Sequence, residues 1–74
     1  MSDHVNHFLV TTTARKTGYR SLSEATTALR GLIALQLGRG YKTERNANGR
    51  HISEHPVNPA VVFWVENQGG VIVS

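Results

Sequence analysis

The chain has no cysteine among its 74 residues, so neither a disulfide framework nor a thiolate metal cluster can support the fold. No apolar run approaches the ~20 residues needed to span a bilayer, which excludes a transmembrane helix. Met1–Ser2–Asp3–His4 lacks the basic start and apolar stretch of a secretion signal, so a cytoplasmic chain with no membrane attachment is expected. Carboxylates are scarce, five in all, and Asp3 is the single aspartate. No Ser, Thr or His stands in a spacing that proposes a nucleophilic triad, and G-x-S-x-G is missing. These absences exclude a secreted cysteine-rich scaffold and a membrane protein, and they weigh against an enzyme. Length leaves room for one domain, residues 1–74, which would bury only about 60% of its unfolded surface. Tidy packing or a partner must supply the rest.

Charge is distributed unevenly. All eight Lys and Arg fall between Arg15 and Arg50, opposed there only by Glu24 and Glu44, so that segment carries +6 while the whole chain carries +3. Six of the eight are arginine, the side chain suited to bidentate pairing with carboxylate or phosphate. Arg15, Lys16, Arg20, Arg30, Arg39, Lys42, Arg45 and Arg50 are therefore the candidate partner-binding residues. Arg15, Lys16 and Arg20 form one cluster before the helix and Arg39, Lys42, Arg45 and Arg50 a second after it; Tyr19 and Tyr41 flank the two clusters and are candidates for stacking on bases, with packing into the core their ordinary alternative.

Val5–Ala14 is rich in β-branched and aromatic residues and reads as a strand. Arg15–Arg20 reads as a basic turn pivoting at Gly18. Ser21–Leu22–Ser23–Glu24 is a capping box that opens a helix over about 21–37. Leu22, Ala25, Ala28, Leu29, Leu32, Ile33 and Leu35 fill one arc of that helix, and Gly38 is the expected left-handed terminator. Tyr41–Arg45 alternates like an edge strand, Asn46–Gly49 is turn chemistry, and Arg50–Ser53 returns as a short strand. Pro56 and Pro59 keep Glu54–Pro59 irregular. Ala60–Val65 is the strongest strand, and Glu66–Gly70 turns it into Val71–Val73. The expected fold is α+β, order β-α-β-β-β(-β), with one helix on one face of a mainly antiparallel sheet.

One helix covers one face of a sheet. Ala60–Val65 is apolar at every position, as expected of a strand buried on both sides. If Val61, Phe63 and Val65 meet the helix, then Ala60, Val62 and Trp64 point away, joined by Leu9 and Ile72; a homodimer through Leu9, Val62, Trp64 and Ile72 would cover this patch, the alternative being Glu54–Pro59 folded back over it.

Four histidines raise the question of a metal. His4-x2-His7 and His51-x3-His55 could supply imidazoles, but a strand sends positions three apart to opposite faces. His51–Ile52–Ser53–Glu54–His55 matches the H-x-x-E-H string of inverted zinc peptidases, a motif that requires a helix. Asn48-Gly49 before it and Pro56 after it argue against one. Gly38–Arg39–Gly40 follows a helix instead of preceding one, so it reads as a terminator and not a phosphate loop. No metal and no cofactor are expected.

The strand, the Ser21–Leu22–Ser23–Glu24–Ala25 helix start, the short amphipathic helix and the strands after it resemble small phage-encoded inhibitors of the anti-CRISPR type. That resemblance implies a non-catalytic protein that docks on a surveillance complex or blocks its nucleic-acid channel. The expectation is a small interaction module using its Arg-rich segment against an acidic protein or nucleoprotein. The alternatives are a nucleic-acid-binding regulator that contacts phosphates directly and, more remotely, a histidine-based metal site.

Overall fold

Ser21 starts the helix as its capping signal requires. In the computed structural model, which describes residues 5–12 and 15–73, Ser21 is the N-cap of α1 (Leu22–Gly38). Its hydroxyl accepts from the Glu24 amide at 3.2 Å, and the Glu24 carboxylate accepts from the Arg20 amide at 3.4 Å. The other end differs from expectation. Gly38 remains helical, Arg39 caps with φ −88°, and Gly40 takes the left-handed φ of +90°. The Gly40 amide then donates to Leu37 O and the Tyr41 amide to Gln36 O, the paired bonds of a Schellman turn.

The strands are β1 (His7–Thr11), β2 (Lys16–Tyr19), β3 (Lys42–Arg45), β4 (His51–Glu54), β5 (Val61–Asn67) and β6 (Ile72–Val73). They form one antiparallel sheet in the order β2-β1-β5-β4-β3, with β6 pairing the end of β5. The α+β class and the single helix on an antiparallel sheet are as the sequence implies, with one strand more before the helix. That strand, β2, occupies the segment expected to be a turn. Gly18 is not its pivot: it sits opposite Phe8 within the ladder. A Cβ at Gly18 would collide with Val5 Cγ1, so glycine is there to admit the side chain of Val5. No helix among the described residues is long and apolar enough to cross a membrane.

Two hairpins close in the same way. Asn46 Oδ1 accepts from the amides of Asn48 and Arg50, and Asn67 Oδ1 accepts from those of Gly69 and Val71. In each, a glycine three residues after the asparagine adopts positive φ, +78° at Gly49 and +79° at Gly70. The asparagine side chain holds the turn while the glycine supplies the bulge that preserves strand twist. The first of these turns lies against β6, since a Cβ at Gly49 would lie 2.9 Å from Ile72 Cγ2.

The core lies between α1 and one face of the sheet. Ala25 and Leu29 pack on Leu9, Phe63 and Val65, with Tyr19, Ala28, Leu32, Ile33, Val61 and Val73 around them. The helix contributes a narrower stripe than its apolar arc: Leu22 and Leu35 are exposed. A single-layer sheet contacts only the near side of a helix laid across it. Strand pairing makes the side-chain lattice definite. Leu9 lies opposite Val65 and shares its face, so Leu9 belongs to the core and not to the uncovered face where it was expected. A cross-strand partner always shares the face, whatever the intervening sequence suggests.

Replacing Ser21 by Ala removes the N-cap acceptor, with an expected loss of about 1 kcal/mol and a fall of about 4–8 °C in Tm for a domain of this size. Phe63→Ala, at a position with no exposed surface, is expected to cost about 3–5 kcal/mol and to leave the chain largely unfolded by circular dichroism.

Candidate functional site: the open sheet face and the arginine layer

The sheet face turned away from α1 is built from ordered cross-strand rows. Lys16, Val10 and Trp64 lie side by side across β2, β1 and β5. Arg50, just before β4, completes that row by placing its guanidinium 4.8 Å from the centroid of the Trp64 ring. On one side lies the row of Gly18, Phe8, Glu66 and Ile72. On the other lie Val62, Ile52 and Glu44, and beyond them Glu54 and Lys42. Val62 and Trp64 therefore face away from the helix, as does Ile72, while Phe8 and Val10 stand where Leu9 was expected. The signal for both was available: Phe8 and Val10 alternate with Leu9 in one strand.

Charge and apolar surface are interlocked here. Glu66 is almost fully buried, and its carboxylate accepts from Lys16 Nζ at 2.7 Å and from Trp64 Nε1 at 3.0 Å. The Lys16 bond holds the Glu66 carboxyl below the usual glutamate range, the Trp64 bond adds to this, and burial opposes both. Lys16 also lies 5.6 Å from the Phe8 ring centroid. Thr12 extends the β1–β5 ladder with its side chain, its hydroxyl donating to Val62 O at 2.8 Å and accepting from the Val62 amide. The result is a groove of about 510 Å³ whose floor includes Val10, Val62 and Trp64, with Lys16 and Arg50 at its ends. A second depression of about 330 Å³ lies among Lys42, Glu44, Glu54 and His55.

All eight basic residues are exposed, but they do not form one track. Lys16, Lys42 and Arg50 belong to the open face, where Glu44, Glu54 and Glu66 balance them. Arg20, Arg30 and Arg39 belong to the helix layer, at the entry, middle and exit of α1. Arg45 joins that side, because it pairs with His51, which in turn pairs with Phe63 of the core. Among the described residues only Glu24 lies with these four arginines. Arg15 precedes β2, at the opposite end of that strand from Arg20. Among the described residues the net positive charge thus lies with the helix-side arginines and with Arg15.

Neither tyrosine presents a free ring on that side. Tyr19 packs against the core, and Tyr41 lies 5.2 Å from the His55 ring. The histidines stay apart in role. His51 stacks on Phe63 at 5.9 Å, and burial, then the Arg45 charge, lowers its pKa. His55 Nδ1 accepts from the Val57 amide at 3.1 Å. His4 lies outside the described residues. Among the described residues no three of His, Cys, Asp and Glu come together as metal ligands. His51–His55 begins with the four strand residues His51–Glu54, so its two histidines do not share a helix face.

No family model, characterised protein or solved structure matches this chain.

The depressed Glu66 carboxyl contributes stability that is complete above the ordinary glutamate value of 4.5 and is lost as pH falls through its lower folded value. Glu66→Gln is expected to destabilise the protein by about 1 kcal/mol near neutrality, a modest figure because Lys16 is partly solvated. In urea titrations the gap between the two proteins should close as pH falls below 4.5. A gap that stays constant would rule out the ion pair as its source.

Proposed function

We propose that this chain is a small non-catalytic interaction module, working as a homodimer, that docks its arginine layer on an acidic protein or nucleoprotein. The observation that carries this reading is the partition of charge. Arg20, Arg30, Arg39 and Arg45 lie on the helix side with Glu24 as the one acid among the described residues there, while the cations and acids of the open face cancel. Seventeen helical residues span about 25 Å at ~1.5 Å per residue. The arginines at the two ends and the middle of α1 can therefore meet carboxylates spread over an extended surface. Arginine suits that task, since its planar fork pairs two carboxylate oxygens at once.

A protein surface fits this layer better than unpaired bases. Base stacking needs an open aromatic ring, and both Tyr19 and Tyr41 are engaged by neighbours. Direct contact with duplex phosphates is the second reading, favoured by the same arginines. The resemblance of the helix start and element order to phage-encoded inhibitors points in the same direction, to a partner that itself handles nucleic acid.

Tagged protein and its Arg20→Glu/Arg30→Glu/Arg39→Glu variant, each incubated with native-host lysate with and without nuclease, separate these readings. A nuclease-resistant partner retained by the wild type, and bound at least about 100-fold more weakly by the variant, is the expected outcome. Capture abolished by nuclease would replace the acidic protein with nucleic acid, whose affinity for purified duplex should then fall steeply with salt. Capture indifferent to the triple charge reversal would end the reading.

A further inference from the structure

We infer that the open sheet face is covered by the same face of a second copy, related by a two-fold axis that runs along β5. The inference rests on the dimeric reading above and gives it a geometry. It begins with what lies uncovered. Phe8, Val62, Trp64, Ile52 and Ile72, each half-buried, surround the buried Val10 in a continuous apolar lattice, and among the described residues no helix lies over it. Five strands at about 4.8 Å and rows about 6.8 Å apart give a face of about 20 by 25 Å. Pairing two such faces buries about 1,000 Å², the size at which a specific interface becomes feasible.

Charge decides between a second copy and a polyanion. The three cations of this face, Lys16, Lys42 and Arg50, stand with Glu44, Glu54 and Glu66, so no net field draws an anionic strand to it. The two edges differ: β2 presents Lys16 alone, while β3 presents Glu44 beside Lys42. Lys16 lies on β2 at one edge of the sheet, and Glu44 lies on β3 at the other, one row away. A two-fold axis along β5 exchanges those edges. It sets Lys16 of each copy over Glu44 of the other, twice by symmetry. Lys16 gives one bond to Glu66 and, with its side chain 56% exposed, keeps donors for a second carboxylate. Val62 and Trp64, on the axis itself, meet their own counterparts as sheets pack at about 10 Å. Such a pair leaves the helix layers outward, so that both arginine surfaces remain available.

Trp64 is the chain's one tryptophan, which makes its fluorescence a direct reporter. Sedimentation equilibrium of the wild type is expected to show a dimer whose dissociation on dilution shifts Trp64 emission to the red. Glu44→Lys, at an exposed position that cannot compromise the core, should weaken the dimer about tenfold, the sum of two rim ion pairs. Ile52→Glu should give a monomer with an unchanged circular dichroism spectrum; if it fails to fold, dilution and Glu44→Lys still decide. A wild type that stays monomeric throughout the micromolar range would overturn pairing altogether. A dimer indifferent to Glu44→Lys would overturn the β5 axis. Quenching of Trp64 by a single-stranded oligonucleotide at low salt, without any dimer, would give the face to nucleic acid instead. Arg30→Glu is the control: it should leave the dimer intact, so that loss of docking and loss of pairing are read separately.

Discussion

Phe63 and Val65 have almost no exposed surface because β5 is paired along both edges and α1 lies across it. Ala25 and Leu29 bring the helix down on these two residues, and Leu9 closes the contact from β1. Every other arrangement depends on this junction. It orients the alternate residues of β5, Val62 and Trp64, to the far side, where there is no helix to meet them. It also sends Phe8 and Val10 of β1, Ile52 of β4 and Ile72 of β6 the same way, to the face that α1 does not cover.

The uncovered face is managed with charge. Glu66 would be costly to bury alone, since a desolvated carboxylate needs partners. Lys16 and the Trp64 indole satisfy it, and in doing so they fix the lysine stem and the tryptophan ring against the sheet. Arg50 over Trp64 adds a cation to the same ring. A wholly apolar patch would associate without selectivity; one crossed by fixed opposite charges accepts only a surface whose charges run the other way. In the helix layer arginines predominate, with Glu24 the one acid among the described residues there. The two sides therefore suit different partners.

Local signals were legible. The capping box at Ser21, the asparagine–glycine turn at Asn46–Gly49 and the apolar run of Ala60–Val65 each identify their element from a few adjacent residues, because the physics involved is itself local. Legibility failed where a distant residue decides. Gly18 looks like a turn residue until Val5 is found over it. Leu9 looks no different from Phe8 or Val10, and only its register against Val65 puts it in the core. The basic segment reads as two clusters, one on each side of the helix, yet within each cluster cations leave on opposite sides of the sheet, as Lys42 and Arg45 do. Glu66 was read as part of a loop; its place two residues after Trp64 in an extended strand was the available clue.

By itself the sequence determined the class of fold, the single helix and its start, the turn chemistry and an excess of arginine over lysine. These follow from side-chain stiffness, backbone freedom and hydrogen bonding within a few residues. Only the tertiary structure decided which apolar residues are covered and which arginines share a surface. Those outcomes depend on strand register and on where a helix lies across a sheet, and both are settled by contacts between residues far apart in the chain.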